Sequence, residues 1–409
     1  MPAPHLVLVW IGWVLVALCA AVAAYWTIAL VRIASTVWRM PRVRDGLDAP
    51  EPADGWPLVS VIVPAHNEER VIDACARALR AQDHPRLEIV FVLDRCTDRT
   101  AALLAPHARE DRRIVVIENT SCPDDWAGKC NAARVGAAAA KGDWLLFTDA
   151  DTQFGSSLVR AAIGSAVRRR LGLLSLLGRL TTHRWFERIV QPVASMNLIR
   201  MYPIARANRP PGHHRPSRPF ANGQFMLFDR NVYAAVGGHE AVKDDLLEDI
   251  AFARLVHEAG YATGVEHAGD LLAVAMYDTF AGFRKGWRRI FIEACKRKPA
   301  RLRRNGWRCL GAGLAAPVVQ IAALVGAGVL AEAAPVEAAL LGGSVATGLL
   351  LQGVALAWIY QQQGAPIWGV VLFPFGAVVV ARTMFAGAAD LVRREPIEWG
   401  GRSYVLRPR

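Results

Sequence analysis

Residues 6–31, LVLVWIGWVLVALCAAVAAYWTIALV, carry no charge, and no other stretch limits the possible folds of this chain as strongly. About 20 helical residues cross the roughly 30 Å of a bilayer's hydrocarbon core. The run is too long for a signal-peptide core and no basic residue precedes it, so a retained anchor is expected. Arg32, Arg39, Arg42 and Arg44 follow it. Positive charge stays on the cytoplasmic side, which puts the start outside and residue 32 onward in the cytoplasm. Three further apolar runs occupy 310–330, 335–360 and 364–386. Four full crossings would leave Arg393, Arg394, Arg402, Arg407 and Arg409 outside, against the same rule. Pro366, Pro374 and Gly376 make the last run a candidate re-entrant or broken helix that returns the tail to the cytoplasm. The expected organisation is an anchor (1–35), a linker (36–56), a globular domain (57–282), a basic interfacial segment (283–309), membrane segments (310–388) and a basic tail (389–409). The expected localisation is the cell membrane, multi-pass, with the globular domain on the cytoplasmic side.

The net charge of +12 (48 basic minus 36 acidic residues) raises nucleic acid as a partner. The densest basic stretch, Arg284 to Arg308, lies directly before an apolar run, where topology and anionic lipid both favour cations. A membrane partner and no nucleic acid is the reading, with no obligate protein partner. The seven cysteines form no CxxC pair and read as reduced, buried thiols.

Between the apolar ends, short β-branched runs alternate with helical spacing. LVSVIVP (58–64), LEIVFVLD (87–94), RRIVVIEN (112–119) and DWLLFTD (143–149) read as buried strands. AHNEERVIDACARALRAQ, CTDRTAALLAPHA with Thr97 as its cap, and GKCNAARVGAAAA read as helices between them. The alternation predicts βαβ units and a mainly parallel, doubly wound α/β sheet, whose ligands bind at the carboxyl ends of the strands. No G-x-G-x-x-G follows the first strand and no P-loop is present. ARANRPPGHHRPSRPF (205–220) is expected to form a mobile loop.

Two strands end on acids. Asp149 and Asp151 stand at alternate positions, which on an extended chain face the same way and can share one hard cation, Mg2+ or Mn2+; a solvated turn is the other reading. Asp94 can accept from the N–H of a nucleobase, and Asp98 reads as a helix cap. Lys129 opens a helix where a cation and free N–H groups suit phosphate, or it is a surface lysine. Glu248 and Asp249 open an amphipathic helix, placed there for its dipole or as a general base. FRKGWRR (283–289) is either an interfacial anchor or a cover over a diphosphate, with Trp287 stacking on a sugar.

In order along the chain, VSVIVPAHNEE, VLDRCTDRT, LLFTDADTQF, NGQFMLFDRNVYAAVGGHEAV, LLEDIAFARLV and FRKGWRR resemble the motifs of membrane-anchored family-2 glycosyltransferases with a GT-A fold. The tail EWGGRSY is similar to the ending of hopanoid-associated and carotenoid-type members. The resemblance implies inverting transfer from a nucleotide-diphosphate sugar, UDP-linked, to a hydroxyl of a lipid acceptor. It implies a nucleotide-sugar site of Pro64, Ala65, Asn67, Glu68, Asp94, Lys129, Asp149, Arg284, Trp287 and Arg288. Asp149 and Asp151 would hold the metal, Asp249 would be the base and Glu248 its support. Leu93 and Cys96 depart from the D-D-x-S pattern, and the last motif lacks a clean R-W. A processive polysaccharide synthase and an inactive scaffold with this fold are the alternatives.

Overall fold

The computed structural model describes residues 4–408 apart from 53, 244, 246, 400 and 401. The first helix, α1 (Pro4–Arg39), runs past the expected anchor. The stretch read as a linker is fastened to the globular domain. A 3-10 turn over Val43–Asp48 presses Gly46 against Gly164, and a Cβ on either glycine would meet backbone of the other segment at about 2 Å. Pro41 O accepts the His267 N–H at 2.9 Å, and Arg44 pairs with Asp270 at 2.8 Å.

Next come β1 (Val59–Ala65), α2 (Ile72–Arg80), β2 (Leu87–Asp94), α3 (Thr100–Glu110), β3 (Ile114–Asn119), α4 (Gly128–Ala139) and β4 (Trp144–Phe147). Strands β3, β2, β1 and β4 pair in parallel in that order. Both faces of β1 are covered, which is why its sequence is a continuous apolar run rather than an alternating one. Val61 and Val63 pack with α2 and α3, and Ile62 packs with Ala132 and Ala133 of α4.

The second half adds β5 (Thr152–Phe154), α5 (Leu158–Arg168), β6 (Leu173–Leu180), α6 (Trp185–Ile189), α7 (Gln191–Met201), α8 (Ile204–Ala207), β7 (Met226–Asp229), α9 (Arg230–Ala235), α10 (Glu248–Glu258) and β8 (Thr263–Val274). The sheet continues β4-β7-β6-β8-β5, with β7 antiparallel to both of its neighbours and β6 parallel to β8. The sheet is therefore mixed but mostly parallel, with helices on both faces. The Pro-rich stretch after α8 is irregular chain pinned to its surroundings. Arg218 lies over the Tyr202 ring, and Ser217 contacts His257 at 2.6 Å.

Beyond the sheet lie α11 (Phe280–Ala294), α12 (Pro299–Leu310), α13 (Ala316–Leu330), α14 (Pro335–Gln362), α15 (Phe373–Arg393) and a hairpin of β9 (Pro396–Trp399) and β10 (Arg402–Val405). Gly400 and Gly401 of the EWGGRSY ending, and Arg409, lie outside the described residues. A single π turn, Gly311–Ala315, joins α12 to α13. Four helical stretches, 8–39, 299–330, 335–362 and 367–393, are long and apolar enough to cross a membrane. The last of these has both ends on the same shelf of α6, α7 and α11. Gly364 O accepts from Thr182 at its start, and Asp390 pairs with Arg288 at 3.0 Å near its end. A separate apolar cluster joins this shelf to Trp26, Tyr360 and Phe373. All seven cysteines are free.

Candidate active site

The turn after β4 and the carboxyl end of β6 open on one pocket of about 290 Å³. It is lined by Lys129, Asp149, residues 177–180, Glu248 and Asp249, whereas Pro64, Ala65, Asn67, Glu68, Asp94 and Asp151 do not line it. Strand β4 stops at Phe147, so Asp149-Ala150-Asp151 is a turn rather than extended chain. This corrects the alternation argument for the two carboxylates. Thr152 fixes the turn by donating its hydroxyl to Asp149 O at 2.6 Å. From it Asp149 reaches Lys129, whose Nζ lies 2.7 Å from Asp149 Oδ1 and 2.9 Å from Glu248 Oε1. Lys129, on the first turn of α4, thus ties the β4 turn to the start of α10. Burial works against its charge, but Asp149 and Glu248 more than offset that and hold its pKa above the ordinary lysine value.

Each acid pair therefore has one member on the lysine and one off it. Burial pushes the Glu248 carboxyl up, but the Lys129 charge and hydrogen bond bring it below the usual range. Its neighbour Asp249 is raised to about 7 by burial, with the Glu248 charge adding to the effect. Asp249 is not bare. Its Oδ2 accepts the Gly223 N–H at 2.8 Å and its Oδ1 the Ile250 N–H at 2.7 Å. A Cβ on Gly223 would lie 3.2 Å from Lys129 Nζ, so glycine keeps this floor open. Asp244 and Leu246, in the stretch expected to open α10, lie outside the described residues.

Asp151 is raised to about 8 by burial, then by Asp149 and Glu68. Its Oδ1 is buried without a hydrogen-bond partner. Glu68, on the loop after β1, is raised to about 7 by burial, then by Asp149, Asp98 and Asp278. Among the described residues no three His, Cys, Asp or Glu side chains converge on a point that could hold a metal ion. The chemistry of the pair nevertheless fits a hard cation that completes its shell with phosphate oxygens: two carboxylates, one with an orphaned buried oxygen, repelling each other and a third acid.

Asp94 ends β2 as expected, but Arg95 holds it, with Nη2 2.6 Å from Oδ2, and Asn119 donates to its Oδ1 at 2.8 Å. Pro64 and Ala65 end β1. Asn67, at φ 57°, accepts the Thr97 N–H at 2.8 Å and so braces the neighbouring loop. Thr97 is not the cap of α3. Asp98 serves instead, accepting from the Thr100 N–H and hydroxyl at 3.0 and 2.6 Å. On α11, Trp287 lines the pocket, whereas Arg288 turns to Asp390 and Arg284 lies exposed over the Phe280 ring. The pocket cation on this helix is Arg289, which sequence reasoning missed. Gly286 and Ile290 stand three before and one after it, and a helical wheel phased on them turns 289 inward.

Residues 60–233 match the family model described as Glycosyl transferase family 2. The chain is 23% identical over 235 residues to a 4,4'-diaponeurosporenoate glycosyltransferase of Staphylococcus haemolyticus, covering 56% of this chain and 60% of that one. It is 28% identical over 122 residues to a beta-monoglucosyldiacylglycerol synthase of Nostoc sp., covering 29% and 26%. The chain thus spans less than two-thirds of the length of either relative. In structure it is similar to a mannosyltransferase of Pyrobaculum calidifontis solved with GDP-Man and Mn2+. The TM-score is 0.50 at 21% identity, covering 92% of this chain and 99% of that one, a likeness of fold.

Proposed function

We propose, from the match of residues 60–233 to the family 2 glycosyl transferase model and the likeness of fold, that the chain moves a sugar from a nucleotide-diphosphate donor to a hydroxyl of a membrane lipid, with inversion. The observation that carries this is the Asp249 carboxylate, held by two backbone N–H groups in the same pocket as Asp149 and Lys129. Asp249 takes the proton of the acceptor hydroxyl as its oxygen bonds to the sugar's anomeric carbon. The bond from that carbon to the diphosphate breaks, and the nucleotide diphosphate leaves with the electron pair. One carboxylate suffices for a single in-line displacement.

Glu248, kept ionised by Lys129, adds negative charge beside Asp249 and so supports its basicity. Asp149 and Asp151 would hold a divalent cation, Mg2+ or Mn2+, which when bound neutralises the diphosphate as it departs. Lys129 offers a second positive charge to the same phosphates. Asp94 faces the nucleobase once Arg95 yields it, and UDP is the expected nucleotide. Trp287 and Arg289 close the pocket from the membrane side.

A lipid acceptor is supported by the apolar helices beside the pocket and by the names of the two relatives, which refer to lipid glycosylation. Because both ends of the 367–393 segment rest on the shelf beside the catalytic domain, we read three crossings, at α1, α12–α13 and α14. The basic tail then lies on the cytoplasmic side with the catalytic domain, which removes the charge conflict of a four-span topology.

Membranes containing the protein, incubated with UDP-glucose, UDP-galactose, UDP-N-acetylglucosamine or GDP-mannose, should yield one new glycolipid by mass spectrometry. The Asp249→Asn protein should yield none. Nucleotide release without any glycolipid would refute the reading.

A further inference from the structure

Between the membrane helices lies a second cavity, about 920 Å³, larger than the catalytic pocket. Helix α1 walls it from Leu18 to Val37, α7 closes one side, and the π turn with the start of α13 forms another. That length of helix spans about 28 Å, close to the thickness of the hydrocarbon core. The small residues Gly311, Ala312, Ala315 and Ala316 keep the α12–α13 wall recessed, and a Cβ on Gly311 would meet nothing within 4 Å. Thr36, Val37, Ile199, Gln362 and Gln363 line both cavities, so the two are contiguous.

The charged groups of this cavity are of one sign. Arg32, Arg200 and Arg308 line it, and no Asp or Glu does. Arg32 is one helical turn from Thr36 and Arg200 is next to Ile199, which sets these cations where the two cavities join. Among the described residues none of the three forms an ion pair. Arg200 donates to Asn197 Oδ1 at 3.0 Å and to Asn305 Oδ1 at 3.4 Å. Elsewhere on the same face arginines do find acids, as Arg184 with Asp278 and Arg288 with Asp390.

Membrane topology alone accounts for exposed cations such as Arg32 and Arg308. It does not account for Arg200, which sits on α7 outside the spans, half-buried and held only by amide oxygens. Nor does it account for Trp26, 1% exposed, which lines the cavity with its Nε1–H lacking a partner. Buried donors are normally satisfied, and guanidinium forks pair best with phosphate or carboxylate.

We infer that this cavity binds one anionic lipid, its phosphate or carboxylate held by Arg32, Arg200 and Arg308 and its chain laid along α1, and that this lipid is the sugar acceptor. Only its identification as the acceptor, with a neighbouring hydroxyl reaching Asp249, rests on the glycosyl-transfer reading. The binding itself does not.

The test is lipid retention by the purified full-length protein, read by native mass spectrometry. Phosphatidylglycerol, a fatty acid and phosphatidylcholine of matched chain length are the probes. Phosphatidylglycerol should be retained about tenfold over phosphatidylcholine, and the fatty acid arm tells carboxylate from phosphate preference. Changing Arg200 and Arg308 together to Gln should cut anionic retention about tenfold or more, with Arg200→Lys keeping part of it. Gly311→Leu, which fills open space, should expel the lipid while leaving every charge in place. Unchanged nucleotide-sugar binding in each variant shows that the catalytic domain is folded. Equal retention of phosphatidylcholine, or retention indifferent to the double change, overturns the site. Anionic lipid bound in the cavity but never glycosylated leaves the site standing and removes its role as acceptor. Glycosylation of neutral lipid, unaffected by the arginine changes, keeps the glycosyl-transfer reading and removes the anionic lipid's role as acceptor.

Discussion

The turn after β4 and the start of α10 each present two acids, and Lys129 takes one from each. Asp149 and Glu248 go to the ammonium, and Asp151 and Asp249 are left to burial, which lifts them to about 8 and about 7. The remaining difference is in what else surrounds the two unclaimed carboxylates. Asp249 has an N–H on each oxygen, whereas Asp151 has a buried oxygen with no donor and Glu68 nearby. Donors that stabilise an anion without neutralising it suit a group that must gain and lose a proton. An oxygen without donors, among like charges, suits a cation. The same residue types at the same kind of spacing are thus set for different work by their neighbours.

The sharpest way to break this contrast is Asp249→Asn. It should lower turnover about 1000-fold while leaving donor affinity, measured by calorimetry, within about threefold; a parallel loss of donor binding would erase the distinction. Asp151→Asn should do the opposite. Donor affinity should fall about 100-fold with Mn2+ present and match wild type after chelation.

The pH dependence sharpens the contrast further. Asp249 holds its proton more tightly in the folded protein than at its ordinary value of 3.8. Its contribution to stability is therefore complete below about pH 4 and is lost as the pH rises through about 7. Transfer needs the ionised base, so kcat/KM should fall about tenfold per pH unit below 7. Opposite slopes of Tm and rate between pH 5 and 8, both flattened in Asp249→Asn, are expected from thermal melts and pH profiles. The smallest effect belongs to Asp98, which caps α3 and accepts the Glu69 N–H at 3.0 Å. Asp98→Ala should cost about 3 °C in Tm and leave transfer rates within about twofold.

Much of the sheet was readable because β1 and β2 are apolar, β-branched runs buried on both faces and the edge strand β3 keeps the same kind of run, all bounded within two residues by the sequence pattern. The turn at Asp149 was misread because period-2 reasoning assumes the strand continues, and hydrophobicity does not mark where Thr152 ends it. Thr97 lost the cap to Asp98 because its hydroxyl turns to Asn67 of a distant loop, while Asp98 Oδ1 accepts the Thr100 N–H. The acids of the site were legible as types at strand and helix ends. The arrangement around Lys129 was not, since it joins residues 129, 149 and 248 through the fold. On α11 the motif pointed to Arg284 and Arg288, but the packing of Trp287 and Ile290 set the helix phase and brought Arg289 to the pocket. The apolar cavity had no sequence signature at all, because it is space left between four separate segments.

Gly46, on the turn after α1, and Gly164, on α5, touch backbone to backbone. With no side chain between them, that joint works as a gauge block rather than a tether. The distance between the pocket and the apolar part of α1 is set by the length of that helix and the turn at 43–48. Under the proposed transfer to a lipid, a fixed joint of this kind would make the distance from a lipid's anchoring group to its reactive oxygen a property that the protein measures.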